Sequence, residues 1–83
     1  MPSDARLKKN IASLGYAVVT VNALRPVSYA LKDGDGETEV GLIAQEVAEV
    51  VPEVVREMPG EEKLLSVNYD GLIPVLIKAI QEQ

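Results

Sequence analysis

The sequence predicts a small α+β domain, in which short helices surround a β-hairpin and a C-terminal helix completes the fold. Three observations predict it. Apolar residues recur at helical spacing in three segments, an alternating segment turns at two glycines and returns, and 83 residues suffice for only one core. The chain has no internal repeat or low-complexity tract, so residues 1–83 are interpreted as a single domain.

The first two segments are a polar opening and a predicted helix. The opening has Leu7 and Ile11 four residues apart, which predicts a single helical turn or a turn-rich arm. Residues 14–24 carry apolar side chains at helical spacing, although their β-branched run would also suit a strand. The helix should end at Arg25, because a residue before proline is disfavoured in the helical region.

Two antiparallel hairpins are predicted next. Residues 27–31 alternate apolar with small or polar side chains, turn at Asp-Gly-Asp-Gly (33–36), and return through residues 37–43. A shorter pair is expected from Val54 and Val55, through a Met-Pro-Gly turn, to residues 64–67. Between the hairpins, helical spacing returns over residues 44–51, which predicts a short helix that ends before a proline.

The final helix is predicted over residues 69–83, with Asn68 or Asp70 as its N-cap. Its apolar face has two interpretations that periodicity does not separate, since one and a half heptads are too few. The face packs on the core of its own domain, or it begins a bundle between chains. The residues of this face are Ile73, Leu76, Ile77 and Ile80.

Composition excludes several classes of function. The net charge is −5 with a pI near 4.6, and the only basic cluster is Arg6, Lys8 and Lys9, so we expect no nucleic-acid partner. With no His and no Cys, we expect no metal and no cofactor, and Asp33 and Asp35 are interpreted as turn residues. The longest apolar stretch is far shorter than a membrane span, so no membrane partner is expected.

The apolar share is 47%, but the chain has no Phe and no Trp to anchor a core. Surface scaling for 8.9 kDa gives roughly 4,800 Å² exposed when folded and roughly 13,000 Å² when unfolded. Burial of only about 60% is thin for a monomer. The chain therefore has a physical reason to associate with copies of itself.

Four stretches together are more specific than a generic domain. They read SDARLKKNI at residues 3–11, LRPVSY at 24–29, GLIAQEV at 41–47 and VNYDGLIPVL at 67–76. In this order they resemble the peptidase S74 family, the intramolecular chaperone domains at the C-termini of phage tail spikes and tail fibres. The resemblance implies a homotrimer whose C-terminal helix, residues 69–83, bundles around a three-fold axis.

The resemblance also implies a partner and an activity. The domain would help three chains of an upstream fibre or spike segment into register in the host cytoplasm, and would then release itself from the fibre precursor. Cleavage would fall between Pro2 and Ser3, with Ser3 as the nucleophile and Lys8 as the general base. This is at most a single-turnover serine endopeptidase acting on its own chain.

Supporting roles are predicted for three further residues. Asp4 and Arg6 lie beside the dyad, but an ordinary cap or salt bridge is an equal interpretation. Gln45 lies within a family signature and is a candidate oxyanion donor, although a short helix more often exposes such a residue to solvent. Because no His or Cys is present, a lysine that has lost its proton is the most plausible base for the serine.

Geometry restricts how the two catalytic residues can meet. Five residues correspond to about 140° of rotation on an α-helix and to opposite faces of a strand. Ser3 must therefore lie in a turn or extended arm before Lys8, or Lys8 must come from another subunit. Two other interpretations remain open: a trimeric fibre cap that never cleaves, and a monomeric acidic adaptor that binds through Ile73 and Ile80.

Overall fold

A computed structural model describes residues 2–16 and 18–83 of the chain. It has the α+β fold that the sequence predicts, with short helices and two small antiparallel sheets. The elements, in chain order, are a 3-10 turn (Ala5–Leu7), α1 (Val18–Ala23), β1 (Val27–Tyr29), β2 (Glu39–Gly41), α2 (Ala44–Val50), a 3-10 turn (Pro52–Val54), β3 (Val55–Glu57), β4 (Leu65–Val67), a 3-10 turn (Tyr69–Leu72) and α3 (Ile73–Glu82).

Both predicted hairpins are present as two-stranded antiparallel sheets. Ser28 pairs with Val40 in the first, and Arg56 pairs with Ser66 in the second. The strands are shorter than predicted, because residues 28–40 are all exposed and a hairpin without a packed face is only marginally stable. In the first turn Gly36 has a φ of 87°, the left-handed conformation that glycine adopts at least cost.

Helix α1 begins later than the sequence predicts. Residues 18–23 are helical, as expected, but residues 14–16 are not, so the prediction was wrong there. Ala17 lies outside the described residues. Gly15 disfavours a helix that would include residues 14–16, because glycine loses more backbone entropy there than other residues do.

The core lies where α2, the following 3-10 turn and α3 meet. It consists of small aliphatic side chains, namely Val47, Val51, Val54, Leu72, Val75 and Ala79. Val47 and Val51 lie one turn apart and are both 1% exposed. A Cβ on Gly71 would lie 2.7 Å from the Cγ1 of Val54, so glycine permits this close approach of the two 3-10 turns.

Helix α3 packs on the core through one face and exposes another. Val75 and Ala79 of α3 are buried, as is Leu72 at the end of the preceding 3-10 turn. The face that the sequence singled out is exposed, at 52% for Ile73 and 69% for Ile80. The interpretation of this face as part of the domain's own core was therefore wrong, because the helix turns a different set of residues toward the core. We use the term apolar face of α3 for Ile73, Leu76, Ile77 and Ile80.

The isolated chain is less compact than a typical monomer of its size. It exposes 6872 Å², whereas about 4,800 Å² is expected for a folded chain of this mass. The radius of gyration is 15.1 Å, compared with roughly 12 Å for a compact domain of this length. The protomer therefore leaves on the order of 2,000 Å² uncovered that a compact monomer would bury.

Candidate functional site

The chain opens with a segment that packs little against the rest of the molecule. Every residue from 2 to 15 is exposed, including Leu7 at 73% and Ile11 at 71%. We call residues 2–15 the N-terminal arm. It carries the predicted cleavage point, the predicted dyad and two apolar side chains that nothing in the same chain buries.

Asp4 and Arg6 form the local structure of the arm. The Asp4 side chain accepts a hydrogen bond from the Arg6 backbone N–H at 2.9 Å and so caps the 3-10 turn. The Arg6 guanidinium also pairs with the Asp4 carboxylate, at 2.7 Å between Nη2 and Oδ2. This pairing lowers the pKa of Asp4 and raises the pKa of Arg6. Cap and salt bridge are thus both formed, and Asp4 offsets the positive charge of Arg6.

Ser3 and Lys8 flank this turn. Ser3 precedes the cap, and the Lys8 backbone N–H closes the turn by donating to the Ala5 carbonyl at 3.1 Å. Lys8 itself has extended backbone, with φ −116° and ψ 150°. The segment between the two residues is thus neither a regular α-helix nor a strand, which is the geometry that a dyad within one chain requires.

The single chain does not assemble the dyad. Both Ser3 and Lys8 are exposed, and within the described residues no hydrogen bond joins their side chains. Catalysis by this pair would require the two side chains to meet in an environment that excludes water, which the arm alone does not provide. The catalytic pairing therefore stays a prediction.

Gln45 lies in the first turn of α2 and is exposed. It borders a hollow of about 310 Å³ between α2, β4 and two tyrosine rings, those of Tyr29 and Tyr69. None of the residues that line this hollow belongs to the N-terminal arm. The single chain thus does not bring Gln45 to Ser3, and its role as an oxyanion donor stays a prediction.

An ion pair joins the second and third sequence motifs. Arg25 Nη2 lies 2.6 Å from Glu46 Oε2, and Arg25 Nε donates to Glu46 Oε1 at 3.1 Å. The hydrogen bond from Arg25 lowers the pKa of Glu46, and the carboxylate raises the pKa of Arg25. The sequence does not indicate this pair, because no periodicity rule links residues that are 21 positions apart.

A second link joins the third and fourth motifs. The Tyr69 hydroxyl accepts a hydrogen bond from the Leu42 backbone N–H at 3.0 Å. A Cβ on Gly41 would lie 2.8 Å from that hydroxyl oxygen, so a glycine at this position leaves room for the tyrosine. These motif residues thus act in packing the hairpin against the start of α3.

An apolar groove includes Ile73 and Leu76 of the apolar face of α3. It has a volume of about 530 Å³, and α1, β2 and the start of α3 form its walls. Among the residues that the structure describes, Asp70 is the one charged residue that lines it. We call it the central groove, and its apolar lining includes Val21, Leu24, Val40, Leu42, Ile73 and Leu76.

The base of the arm is attached to the body of the domain at two points. Ser13 and Leu14 line a shallow hollow with Ile77 and Lys78 of α3. The Tyr16 hydroxyl donates a hydrogen bond to the Glu53 carboxylate. This bond lowers the pKa of Glu53 and raises the pKa of Tyr16. The arm therefore starts from a fixed point.

Two kinds of site are absent from the described part of the chain. Among residues 2–16 and 18–83, no cluster of three or more acidic side chains is arranged to hold a metal ion. No helix in those same ranges combines the length and apolarity needed to cross a bilayer.

Comparison with known proteins gives consistent matches. The family model Peptidase_S74, described as "Chaperone of endosialidase", matches residues 3–56. The chain is 37% identical over 87 residues to the long tail fiber protein Gp37 of Escherichia phage AR1, and 33% identical over 86 residues to that of Salmonella phage S16. These alignments cover 96% and 94% of this chain but only 8% and 12% of the relatives, so the chain spans a small part of their length.

The matched range and the motifs can be compared directly. Residues 3–56 include the first three motifs, whereas the fourth, at residues 67–76, lies beyond the family match. The family match covers well over half of the chain, and the predicted resemblance is confirmed. The chain belongs to the Peptidase_S74 family, the chaperone of endosialidase.

Proposed function

We propose that this chain is an assembly domain of a phage tail fibre, which trimerises and thereby helps the fibre segment that precedes it to fold. The apolar face of α3 is the observation that carries the proposal, because four large aliphatic residues on one helix remain exposed. Family membership and the tail-fibre relatives support the fibre as the client. The domain would act in the host cytoplasm on a fibre precursor.

The uncovered surface has the size that a trimer needs. A standard interface buries roughly 800 Å² on each partner, and a protomer in a three-fold ring contacts two neighbours. About 1,600 Å² would thus be buried per protomer, close to the roughly 2,000 Å² by which this chain exceeds a compact monomer. Residues 69–83, which include α3, are the proposed trimerisation segment.

Self-release is the second part of the proposal. The Ser3 hydroxyl would attack the Pro2 carbonyl while Lys8 takes its proton, and the Pro2–Ser3 amide bond would break as the ester forms. The proton passes to the freed Ser3 amine, and water then hydrolyses the ester. An exposed lysine is a poor base, so we propose that assembly supplies the dry environment that Lys8 lacks in the single chain.

A fusion with an upstream fibre segment tests the cleavage. The wild-type fusion should split before Ser3, as shown by gel mobility and by the intact mass of the released domain. Ser3→Ala and Lys8→Ala should abolish the split. Ser13→Ala and Lys9→Ala are matched controls in the same arm and should still cleave. Equal cleavage of all five proteins would overturn the dyad.

A second experiment tests whether cleavage needs the trimer. Ile77→Asp together with Ile80→Asp places two charges on the apolar face of α3, and should lower both the trimer population and the cleaved fraction. The matched control is Glu61→Lys in the β3–β4 loop, which should change neither. If the doubly substituted variant is monomeric and still cleaves at the wild-type rate, cleavage does not depend on the trimer.

A non-cleaving trimeric cap is the alternative function. The exposure of both Ser3 and Lys8 in the single chain favours it. The two functions differ in one result, since a cap forms trimers and leaves the wild-type fusion uncut.

A further inference from the structure

We propose that the N-terminal arm of one copy docks into the central groove of a neighbouring copy, with Leu7 and Ile11 as its anchors. The proposal rests on the proposed trimer and adds the identity of the segment that fills the groove. Because the arm carries Ser3 and Lys8, docking would also move both of them from solvent into the interface between two chains.

The arm and the groove both expose apolar side chains that could cover each other. Leu7 and Ile11 are among the most exposed large apolar side chains of the chain. Across the groove, Val40 is 82% exposed, although it stands on a strand that the fold holds in place. Covering both sets of side chains at once removes apolar surface from water on each partner, which is the main favourable term in association.

The attachment of the arm directs it away from its own groove. Ser13 and Leu14 lie against Pro74, Ile77 and Lys78, whereas the groove uses Ile73, Val75 and Leu76. At 100° per residue, the mean directions of these two sets of α3 residues lie about 160° apart around the helix, although Ile77 and Ile73 are neighbours one turn apart. Most of the attachment thus lies on the other side of α3 from the groove, and Ile77 is its one residue on the apolar face of α3.

Reaching its own groove would bring the arm into conflict with the trimer. Leu7 is seven residues from Leu14, a span of at most about 25 Å. A path of that length across the exposed side of α3 would cover Ile77 and Ile73 of the apolar face, which the proposed trimer gives to a neighbour, and the opposite side of the helix is buried in the core. A neighbouring copy has neither obstacle, and we therefore infer docking between chains.

Charge favours docking of the arm on the groove of an acidic body. Residues 2–11 carry three basic side chains and one acidic, a net charge of +2. The remaining residues carry five basic and twelve acidic side chains, a net charge of −7. Asp70 lies at the groove itself, within reach of a docked basic arm. A basic arm is attracted to an acidic body and orients as it approaches, more strongly at low salt.

Disulfide trapping tests the docking, because the natural chain has no cysteine. Leu7→Cys and Val40→Cys are prepared as two separate chains, refolded together, and oxidised. Both positions are largely exposed, so neither change removes a core contact. We expect a disulfide-linked pair of unlike chains at a yield at least about five-fold above the control. The control pairs Leu7→Cys with Glu61→Cys, whose position lies in the exposed β3–β4 loop.

Three results would overturn the proposal. The first is a disulfide within one chain that carries both Leu7→Cys and Val40→Cys. The second is a yield equal to that of the control. The third is efficient trapping of Val40→Cys by Ile80→Cys of another chain instead, which would give the groove to a neighbouring α3. Light scattering on the same samples separates the two proposals: a trimer without the trap overturns the docking alone, whereas a single-chain mass overturns both.

A charge substitution provides a second readout that needs no cross-link. Leu7→Asp together with Ile11→Asp should raise the dissociation constant of the trimer at least about ten-fold. Leu31→Asp is the matched control, since Leu31 is also exposed but lines a different hollow, on the first hairpin. An unchanged dissociation constant in the arm variant would contradict the role of Leu7 and Ile11 as anchors.

Discussion

The N-terminal arm and the α2–α3 body contain the same kinds of aliphatic residue, but the body buries them and the arm exposes them. In the body, Val47 of α2 and Leu72 of the 3-10 turn before α3 are buried in the same core cluster. In the arm, Leu7 and Ile11 face solvent, and the bonds that hold the arm in shape are local ones around Asp4. This difference shows that the hydrophobic pattern predicts which residues favour burial. The fold of a single chain determines which of them are buried.

Truncating a leucine in each region should give the largest difference in the free energy of unfolding. Leu72→Ala leaves a cavity in a core of small residues and should lower the free energy of unfolding by about 2–5 kcal/mol. That is a large part of the 5–15 kcal/mol that is typical of a domain. Leu7→Ala removes an exposed side chain and should change it by less than about 0.5 kcal/mol.

Urea unfolding followed by circular dichroism measures both variants, at a protein concentration where the chain is monomeric. Under these conditions only contacts within the protomer contribute. A loss above 2 kcal/mol for Leu7→Ala would show that the arm packs on its own body, contrary to the structure.

Replacing Gly41 should have an intermediate effect within the body. The new Cβ of Gly41→Ala would lie 2.8 Å from the Tyr69 hydroxyl, and the hydroxyl would move away from the Leu42 N–H. We expect a loss of about 1–3 kcal/mol, the usual range for overpacking. In a Tyr69→Phe background the obstructing oxygen is absent, so the same substitution should cost less.

A double-mutant cycle measured by thermal or urea unfolding checks this coupling. The alanine at position 41 should be better tolerated with Phe than with Tyr at position 69. Strictly additive losses would show that the hydroxyl is not what excludes a side chain from Gly41.

The hydrogen bond at the base of the arm should have the smallest effect on stability, and this effect depends on pH. The Tyr16 hydroxyl holds the pKa of Glu53 below its ordinary value of 4.5. The folded state thus binds fewer protons than the unfolded state, so this contribution is present above pH 4.5 and is lost as the pH falls through the lowered pKa. The pKa of Tyr16 is raised above 10.0, so its contribution is lost only as the pH rises through that raised value.

Carbon-13 NMR titration of the Glu53 carboxyl measures the first of these effects. Tyr16→Phe should return the pKa of Glu53 toward its ordinary value, whereas Tyr29→Phe, on β1, is the matched control. If the carboxyl titrates at the same pH in the wild type and in Tyr16→Phe, the hydrogen bond does not fix the base of the arm.

Local patterns predicted most of the elements. The hairpin turn at residues 33–36 follows from its turn residues, and the helix from Ala44 and the last helix follow from apolar spacing. The predicted cap of the last helix was wrong: α3 begins at Ile73 after a 3-10 turn, its N-cap is Leu72, and Asn68 makes no side-chain cap bond. The non-helical conformation of residues 14–16 was missed because the apolar spacing there is helical, while Gly15 interrupts it. The strands of the first hairpin are shorter than predicted, because residues 28–40 are exposed and have no packed face.

Contacts between distant residues could not be predicted in the same way. The Arg25–Glu46 pair and the Tyr69–Leu42 bond depend on how the hairpin lies against α2 and α3, which no local pattern encodes. The sequence did identify the apolar residues of α3, but it left their partner open. Helical spacing indicates that a face is apolar. It does not indicate whether the same chain or another copy packs against that face.

The mass of the chain in solution tests the central claim most directly. Light scattering across a range of concentrations should show a species of three times 8.9 kDa, and Ile77→Asp with Ile80→Asp should shift it toward a single chain. A wild-type mass of one chain at every concentration, up to hundreds of micromolar, would contradict the claim that other copies cover the exposed arm and the apolar face of α3.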